Sequence, residues 1–159
     1  MSVRNVMQRV RSAVARPSRS AARSADRRPE VVRPADVPPA PAISYSPRLD
    51  GDPDPGEVVW TWVPYEDDPR QGKDRPVLVI GREGDRLIAL ALSSKDRTDR
   101  ADCIELGRGP WDHEQRISYV KLDRVLRIDP DEMRREGAVI ERKRFDRVVQ
   151  RLAEIQSRR

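Results

Sequence analysis

The sequence predicts a mainly β fold, a small barrel-like sheet with helices packed on it, over residues 51–159. Short apolar runs recur at regular intervals and are separated by turn residues, which is typical of antiparallel strands. An amphipathic helix follows these runs near the end of the chain. All seven aromatic residues lie after residue 44, so we expect the hydrophobic core in the same part of the chain.

The first three strands have the clearest signals. Glu57–Val63 follows turn residues and alternates, so that Val58, Trp60 and Trp62 share one face and Val59, Thr61 and Val63 the other. A loop over residues 64–74 leads to the second strand, Arg75–Arg82. The turn Glu83-Gly84-Asp85 then predicts a hairpin with the third strand, Arg86–Leu92.

Shorter elements follow. Asp102–Leu106 is a fourth strand, and Ile117–Lys121 with Arg124–Ile128 are two more short strands or one bent strand. Asp129 and Pro130 predict the cap and first residue of a short helix that ends before Gly137, and we expect residues 138–140 to be extended. The strongest helix signal is Glu141–Gln156, with one apolar stripe formed by Phe145, Val148, Val149, Leu152 and Ile155.

Residues 1–44 form a basic tail and linker. The first 33 residues contain nine arginines and two acidic residues, so the tail accounts for the net charge of +5, and that charge does not indicate a nucleic-acid-binding domain. We expect a short basic helix over residues 1–14 and disorder from Arg16 to Pro41. This tail either contacts RNA, the ribosome or an anionic membrane surface, or is a solvated extension without a specific role.

Composition excludes several classes of protein. The single cysteine, Cys103, excludes an intramolecular disulfide, and too few metal ligands are present for a zinc cage, so we expect no metal and no cofactor. No apolar run approaches the length of a membrane span, and no signal-peptide hydrophobic stretch follows the first arginines. The expected location is therefore the cytoplasm.

The segment Gln71–Ile80 (QGKDRPVLVI) carries the clearest functional signal. Pro76 forces Arg75 into an extended conformation, and four apolar residues follow as a buried strand. Arg75 is thus held at the mouth of a strand, where its guanidinium can bind a phosphate or another anion. An ion pair between Arg75 and a neighbouring acid such as Asp74 is the alternative.

Three features of the chain together resemble the PemK/MazF family of toxin endoribonucleases, over roughly Gly56–Ile155. The start Gly56–Trp60 (GEVVW) is similar to the family's G-[DE]-apolar-apolar strand, and Gly72–Ile80 (GKDRPVLVI) to its G-x-x-R-P-x-L-V-[IV] strand. Leu87–Ser94 lies where the family usually has P-[ILC]-T-[ST], with Ala91 in place of proline and Ser93 in place of threonine.

The resemblance implies an SH3-like or CcdB-like β-barrel, a homodimer, metal-independent cleavage of single-stranded RNA and a cognate antitoxin. It also implies a catalytic role for Arg75 and Ser93. For the base we expect a carboxylate close to this arginine, either Asp74 or one of residues 66–68. Expected RNA contacts are Lys73, Arg70, Tyr65 and Ser94. The alternatives are a catalytically weakened barrel that only binds RNA or a protein, and a gyrase-directed toxin on the same fold.

Overall fold

The computed structural model describes residues 28–37, 43–48 and 52–158, and its framework is one antiparallel sheet. The strands are β1 (Glu30–Val32), β2 (Glu57–Pro64), β3 (Gly72–Glu83), β4 (Arg86–Ser93), β5 (Cys103–Gly107), β6 (Ser118–Ile128) and β7 (Met133–Val139). One α-helix follows, α1 (Arg142–Ser157), and two 3₁₀ turns lie at Pro34–Asp36 and Pro130–Glu132.

The strands lie in the order β1-β6-β4-β3-β2-β7, and β5 pairs with β6 beside β1. The predicted mainly β class with a C-terminal helix is confirmed. The expected closure is not found among the described residues, because the end strands β1 and β7 pair with β6 and β2 and not with each other. Over the described residues, the sheet is therefore open.

Strand β3 begins at Gly72, three residues earlier than the predicted start at Arg75. It does so because β2 continues through Pro64 and pairs with Gly72 across the ladder. The connecting loop is consequently only residues 65–71, closed by a 2.8 Å hydrogen bond from the amide of Tyr65 to the carbonyl oxygen of Gln71. Lys73 and Asp74, expected in a loop, are strand residues.

Both faces of the central strands are buried, as the continuous apolar run of β3 indicates. One core lies between the sheet and α1 and contains Val58, Leu78, Ile80 and Leu90. The second core lies on the opposite face and contains Val59, Val63, Val77, Val79 and Ala89. The predicted alternation in β2 is therefore confirmed, since Val58 packs on one side and Val59 and Val63 on the other.

Strand β6 is one continuous strand with a large irregularity in its middle. Leu92 pairs with Val120 and Leu90 pairs with Val125, so the four residues 121–124 lie opposite the single residue Ala91. We call residues 121–124 the β6 bulge. Of the two possibilities left open by the sequence, one bent strand is confirmed, and the bend is this bulge.

The segment after β6 differs from the prediction. The Asp129 side chain accepts a 3.0 Å hydrogen bond from the amide of Asp131, as a helix cap does, but only a 3₁₀ turn forms. The predicted short helix up to Gly137 is wrong, because residues 133–139 form β7 and pair with the edge of β2. Backbone pairing along an open sheet edge outweighs a weak local helix preference.

The C-terminal helix is confirmed to within one residue at each end. Phe145, Val148 and Leu152 are buried against the sheet, and Val149 and Ile155 are partly buried beside them. Within the described residues, no helix is both long and apolar enough to cross a membrane.

The expected disorder does not extend to residues 30–37. Strand β1 pairs with β6 at Glu30–Arg127, Val31–Leu126 and Val32–Val125, and the buried Val37 belongs to the core beneath α1. Tyr45 is also anchored, since its hydroxyl donates a 2.8 Å hydrogen bond to the carbonyl oxygen of Ile140. The helix expected over residues 1–14 lies outside the described residues, and the domain boundary at residues 44–51 stays a prediction.

Candidate active site

A cavity of about 340 Å³ lies at one end of the sheet, and we call it the first cavity. Its walls are the β2–β3 loop, the first residues of β3, the end of β4 and the β6 bulge. The structure brings five predicted site residues together here: Tyr65, Lys73, Arg75, Ser93 and Ser94. These residues come from three separate elements, so the ladder pairing of β2, β3 and β4 is what assembles them.

Arg75 and Lys73 line the cavity from the same side of β3, because residues two apart share a face of a strand. Arg75 is half-buried and lies opposite the buried Thr61 of β2. Among the described residues, no salt bridge to Arg75 or Lys73 is found. The geometry therefore favours an anion-binding role for Arg75 over the alternative of a structural ion pair.

Ser93 is the last residue of β4 and is half-buried at the cavity wall. Its hydroxyl oxygen accepts a 3.1 Å hydrogen bond from the backbone amide of Lys95. This bond orients the side chain and leaves the hydroxyl proton available for donation to a ligand. Ser94, the next residue, is exposed at the rim.

Two predicted site residues lie outside the first cavity. Asp74 does not line it, because the strand period turns its side chain away from the face that carries Arg75. Arg70 pairs with Asp68 at 3.1 Å on an exposed part of the β2–β3 loop and lines a second, adjoining cavity instead. The structure thus gives no support to Asp74 as a base for chemistry in the first cavity.

The β6 bulge supplies three lining residues that the sequence did not predict: Lys121, Asp123 and Arg124. Lys121 donates a short hydrogen bond to Glu66, whose Oε1 also lies 3.8 Å from Nε of Arg124. The hydrogen bond from Lys121 is the main cause that lowers the pKa of Glu66. The only signal in the sequence was the charged break between the two apolar halves of β6.

Asp123 is a half-buried carboxyl on the wall of the first cavity. Burial raises the pKa of Asp123, and the nearby carboxylates of Asp102 and Glu66 act in the same direction. No salt bridge of Asp123 is found within the described part of the chain, although Lys121 partly offsets the shift electrostatically. A half-buried carboxyl that retains its proton to higher pH is suited to proton transfer.

The cavity as a whole is electropositive. Seven basic side chains and four acidic ones line it: Lys73, Arg75, Lys95, Arg97, Arg100, Lys121 and Arg124 against Glu66, Asp67, Asp102 and Asp123. Concentrated positive charge in a concave surface attracts polyanions such as a nucleic acid strand.

Two further observations concern the cysteine and the acidic side chains of the described residues. Burial raises the pKa of Cys103, so this thiol in the first cavity stays protonated at neutral pH and is a poor nucleophile. No group of three or more His, Cys, Asp or Glu side chains in the described ranges could hold a metal ion.

The wall beside Arg75 has no room for a side chain at Gly72. A Cβ there would lie within 2.6 Å of the Trp62 ring and against the carbonyl oxygen of Val63. We therefore expect Gly72→Ala to destabilise the protein by about 1–3 kcal/mol, because β2 and β3 must separate locally. Urea unfolding measures this, with the exposed neighbour Gln71→Ala as control. Equal midpoints for the two variants would contradict the close approach of the strands.

The raised pKa of Asp123 makes a prediction about pH and stability. The unfolded chain ionises this carboxyl at lower pH than the folded chain, so Asp123 destabilises the fold once pH rises through the interval between the two pKa values. Asp123→Asn should thus be more stable than the wild type at pH 7, with the difference vanishing below the ordinary aspartate pKa of about 3.9. Thermal unfolding at several pH values measures this. The exposed Asp131→Asn is the control, and a gain that does not depend on pH would refute the burial argument.

The first comparison with known proteins concerns sequence families. Residues 54–156 match the model of the family described as PemK-like, MazF-like toxin of type II toxin–antitoxin systems. This range spans β2 to α1 and contains the whole lining of the first cavity. Among individual curated proteins, none matches the chain.

Solved structures also resemble this chain in fold. One is an endoribonuclease from a mycobacterial species in complex with its cognate antitoxin, at a TM-score of 0.51 and 19% identity, covering 66% of this chain and 95% of that one. Another is MazE–MazF from Deinococcus radiodurans, at a TM-score of 0.51 and 20% identity, covering 66% and 96%. At these identities the likeness shows a shared fold.

Proposed function

Because this chain belongs to the family of PemK-like, MazF-like toxins of type II toxin–antitoxin systems, we propose that it is a metal-independent endoribonuclease that cleaves single-stranded RNA in a sequence-selective way. The observation that carries this proposal is Arg75, which lines the electropositive first cavity beside Ser93 without an acidic partner in the described residues. The cavity is suited to a phosphate, and the family match supports an RNA phosphodiester as the ligand.

The proposed reaction uses the 2′-hydroxyl of the RNA as nucleophile. A base removes the proton of that hydroxyl, the oxygen forms a bond to the adjacent phosphorus, and the bond from phosphorus to the 5′-oxygen breaks. The leaving oxygen then takes up a proton. The products are a 2′,3′-cyclic phosphate and a free 5′-hydroxyl, with no metal or cofactor consumed.

Arg75 stabilises the charge that develops on the phosphate oxygens, since its guanidinium can donate two parallel hydrogen bonds. Ser93 donates its hydroxyl proton to a phosphate oxygen or positions the 2′-hydroxyl. Lys73 and Ser94, on the same wall, hold the neighbouring backbone. Tyr65 offers a ring face to an unpaired base.

Asp123 is the best-supported group for proton transfer in this mechanism. A base works best when its pKa lies near the working pH, and burial raises the pKa of Asp123 whereas the hydrogen bond from Lys121 lowers that of Glu66. Asp123 also lines the same cavity as Arg75, which Asp74 does not.

The proposal includes partners and a location. We expect a cognate antitoxin that covers the first cavity, a homodimeric assembly and activity in the cytoplasm. The family membership of the chain supports these expectations. One solved relative is an endoribonuclease in complex with its cognate antitoxin. The protein product of a small acidic reading frame beside the gene is therefore the partner to test first.

The test is incubation of the full-length chain with a long single-stranded RNA in EDTA, followed by analysis of both product ends. Cleavage to 2′,3′-cyclic phosphate and 5′-hydroxyl ends supports the enzyme. Tight RNA binding without cleavage would favour the weakened barrel instead, for which Ser93 in place of threonine and Ala91 in place of proline are the motivating observations.

A further inference from the structure

A second cavity of about 620 Å³ adjoins the first one, and the N-terminal segment forms one of its walls. Arg28, Pro29 and Val31 lie on one side, and Trp62 with the β2–β3 loop lies on the other. This volume is within the range of small-molecule and nucleotide sites. The wall residues 28–31 precede the first residue matched by the family model, residue 54. The matched part of the chain cannot form this cavity alone.

The two cavities share one partition. Tyr65, Glu66, Asp123 and Arg124 line both of them. A flexible chain that occupies the first cavity therefore reaches the second by crossing this partition, and a polymeric ligand can fill both.

The N-terminal wall is fixed to the sheet. Its strand β1 pairs with β6, and the carboxylate of Glu30 lies 3.6 Å from Arg127 and 3.7 Å from Arg86. Just beyond it, the side-chain amide of Gln156 donates a 2.8 Å hydrogen bond to the carbonyl oxygen of Pro34. These contacts join the wall to β4, β6 and α1, so the cavity is a preformed feature of the fold.

The lining chemistry fits one nucleotide of a single strand. Trp62 and Tyr65 are half-buried aromatic side chains that line the cavity, and aromatic side chains of this kind stack on unpaired bases. Arg28 is exposed, and no ion pair of Arg28 is found among the described residues, which leaves it available for a phosphate. Val31 is 43% exposed, which is unusual for a large apolar side chain here, and a bound nucleotide would cover it.

We propose that the second cavity binds an RNA nucleotide that flanks the cleaved phosphodiester, with the N-terminal segment Arg28–Val31 as its outer wall. This proposal rests on the proposed endoribonuclease function, since RNA is the ligand that links the two cavities. Under this proposal, residues that precede the matched family region help to set the number of RNA nucleotides that the protein contacts.

The test compares full-length wild type, Arg28→Ala and the double variant Arg28→Ala/Val31→Ser on RNA oligonucleotides of graded length. Each contains a cleavage site mapped with wild type and carries zero to four nucleotides on either side. The control is Arg33→Ala, an exposed arginine two residues after this segment that pairs with Asp36 and lines neither cavity. Circular dichroism checks that each variant is folded. If the double variant unfolds, the single variant Arg28→Ala still tests the proposal, because it leaves the backbone pairing of β1 intact.

We expect Arg28→Ala to raise KM by about tenfold for oligonucleotides with flanking nucleotides, because a charged hydrogen bond to phosphate is lost. The value of kcat should stay within about twofold, and the KM effect should disappear for the shortest substrate. Fluorescence anisotropy with the same labelled oligonucleotides measures how log affinity decreases with log salt concentration. The magnitude of this slope should be smaller by about 0.7 for Arg28→Ala than for wild type.

Failure of the inference is distinguishable from failure of the enzymatic function. If wild type cleaves RNA and Arg28→Ala equals Arg33→Ala at every length, the subsite is refuted and a protein segment becomes the candidate occupant. If wild type does not cleave, random-sequence oligonucleotides of graded length replace the mapped substrates, and an affinity that depends on Arg28 and on length then supports the subsite without the enzyme. Absence of both RNA binding and cleavage overturns both proposals.

Discussion

Replacing Arg75 with alanine should lower the rate of RNA cleavage by about a hundredfold or more while leaving the protein folded. Loss of one preorganised donor to a developing oxyanion has an effect of this size. Arg75 is suited to that role because it lines the electropositive first cavity and has no salt bridge among the described residues. Since no structural ion pair is lost either, the change in stability should be small.

The control for this experiment is Arg82→Ala. Arg82 lies on the same strand, β3, but its guanidinium pairs with Asp54 at 2.9 Å, outside the first cavity. The Arg82→Ala variant should cleave RNA at the rate of the wild type. Arg75→Lys should fall between the wild type and Arg75→Ala, because it keeps the charge but loses the two-pronged donor. An Arg75→Ala protein that cleaves RNA within threefold of wild type would remove the arginine from the mechanism.

Leu152→Ala should have the largest effect on stability. Leu152 of α1 is fully buried in the core between the helix and the sheet. Truncation of a buried leucine costs about 2–5 kcal/mol, which is a large part of the 5–15 kcal/mol typical of a folded domain. The free energy of unfolding in urea measures the loss.

The matched variant for this experiment is Gln150→Ala, an exposed position two residues before Leu152 on the same helix. It should change the free energy of unfolding by less than about 0.5 kcal/mol. If Leu152→Ala unfolds at the same urea concentration as Gln150→Ala, α1 does not contribute to the core in solution.

The strands β2, β3 and β4 and the helix α1 were predictable because their patterns are local. An apolar run such as Val77–Ile80 or a stripe at helical spacing identifies an element without knowledge of its neighbours. The elements that were missed depend on pairing with distant segments. Strand β7 forms because β2 offers an open edge, and β1 forms because β6 does.

The residues of the candidate site also divide into those that local sequence predicts and those that only strand pairing reveals. Arg75, Ser93, Lys73, Tyr65 and Ser94 were predictable as a group, and the structure brings them together at one cavity. Asp74 was selected for its position next to Arg75, but adjacent strand residues face opposite sides. The β6 bulge was not predictable, because the four residues 121–124 come to lie opposite Ala91 only once β4 and β6 are paired.

The sequence by itself determined the class of fold, the family and the arginine at the mouth of β3, since these depend on short-range pattern and motif. Tertiary structure alone decided which charged groups face that arginine. Lys121, Asp123 and Arg124 reach the first cavity because the register of β6 shifts at the bulge. Arg28 lines the second cavity because β1 pairs with β6. Register and edge pairing are set by the burial of both sheet faces and by the backbone hydrogen bonds of distant strands, which no local stretch of sequence encodes.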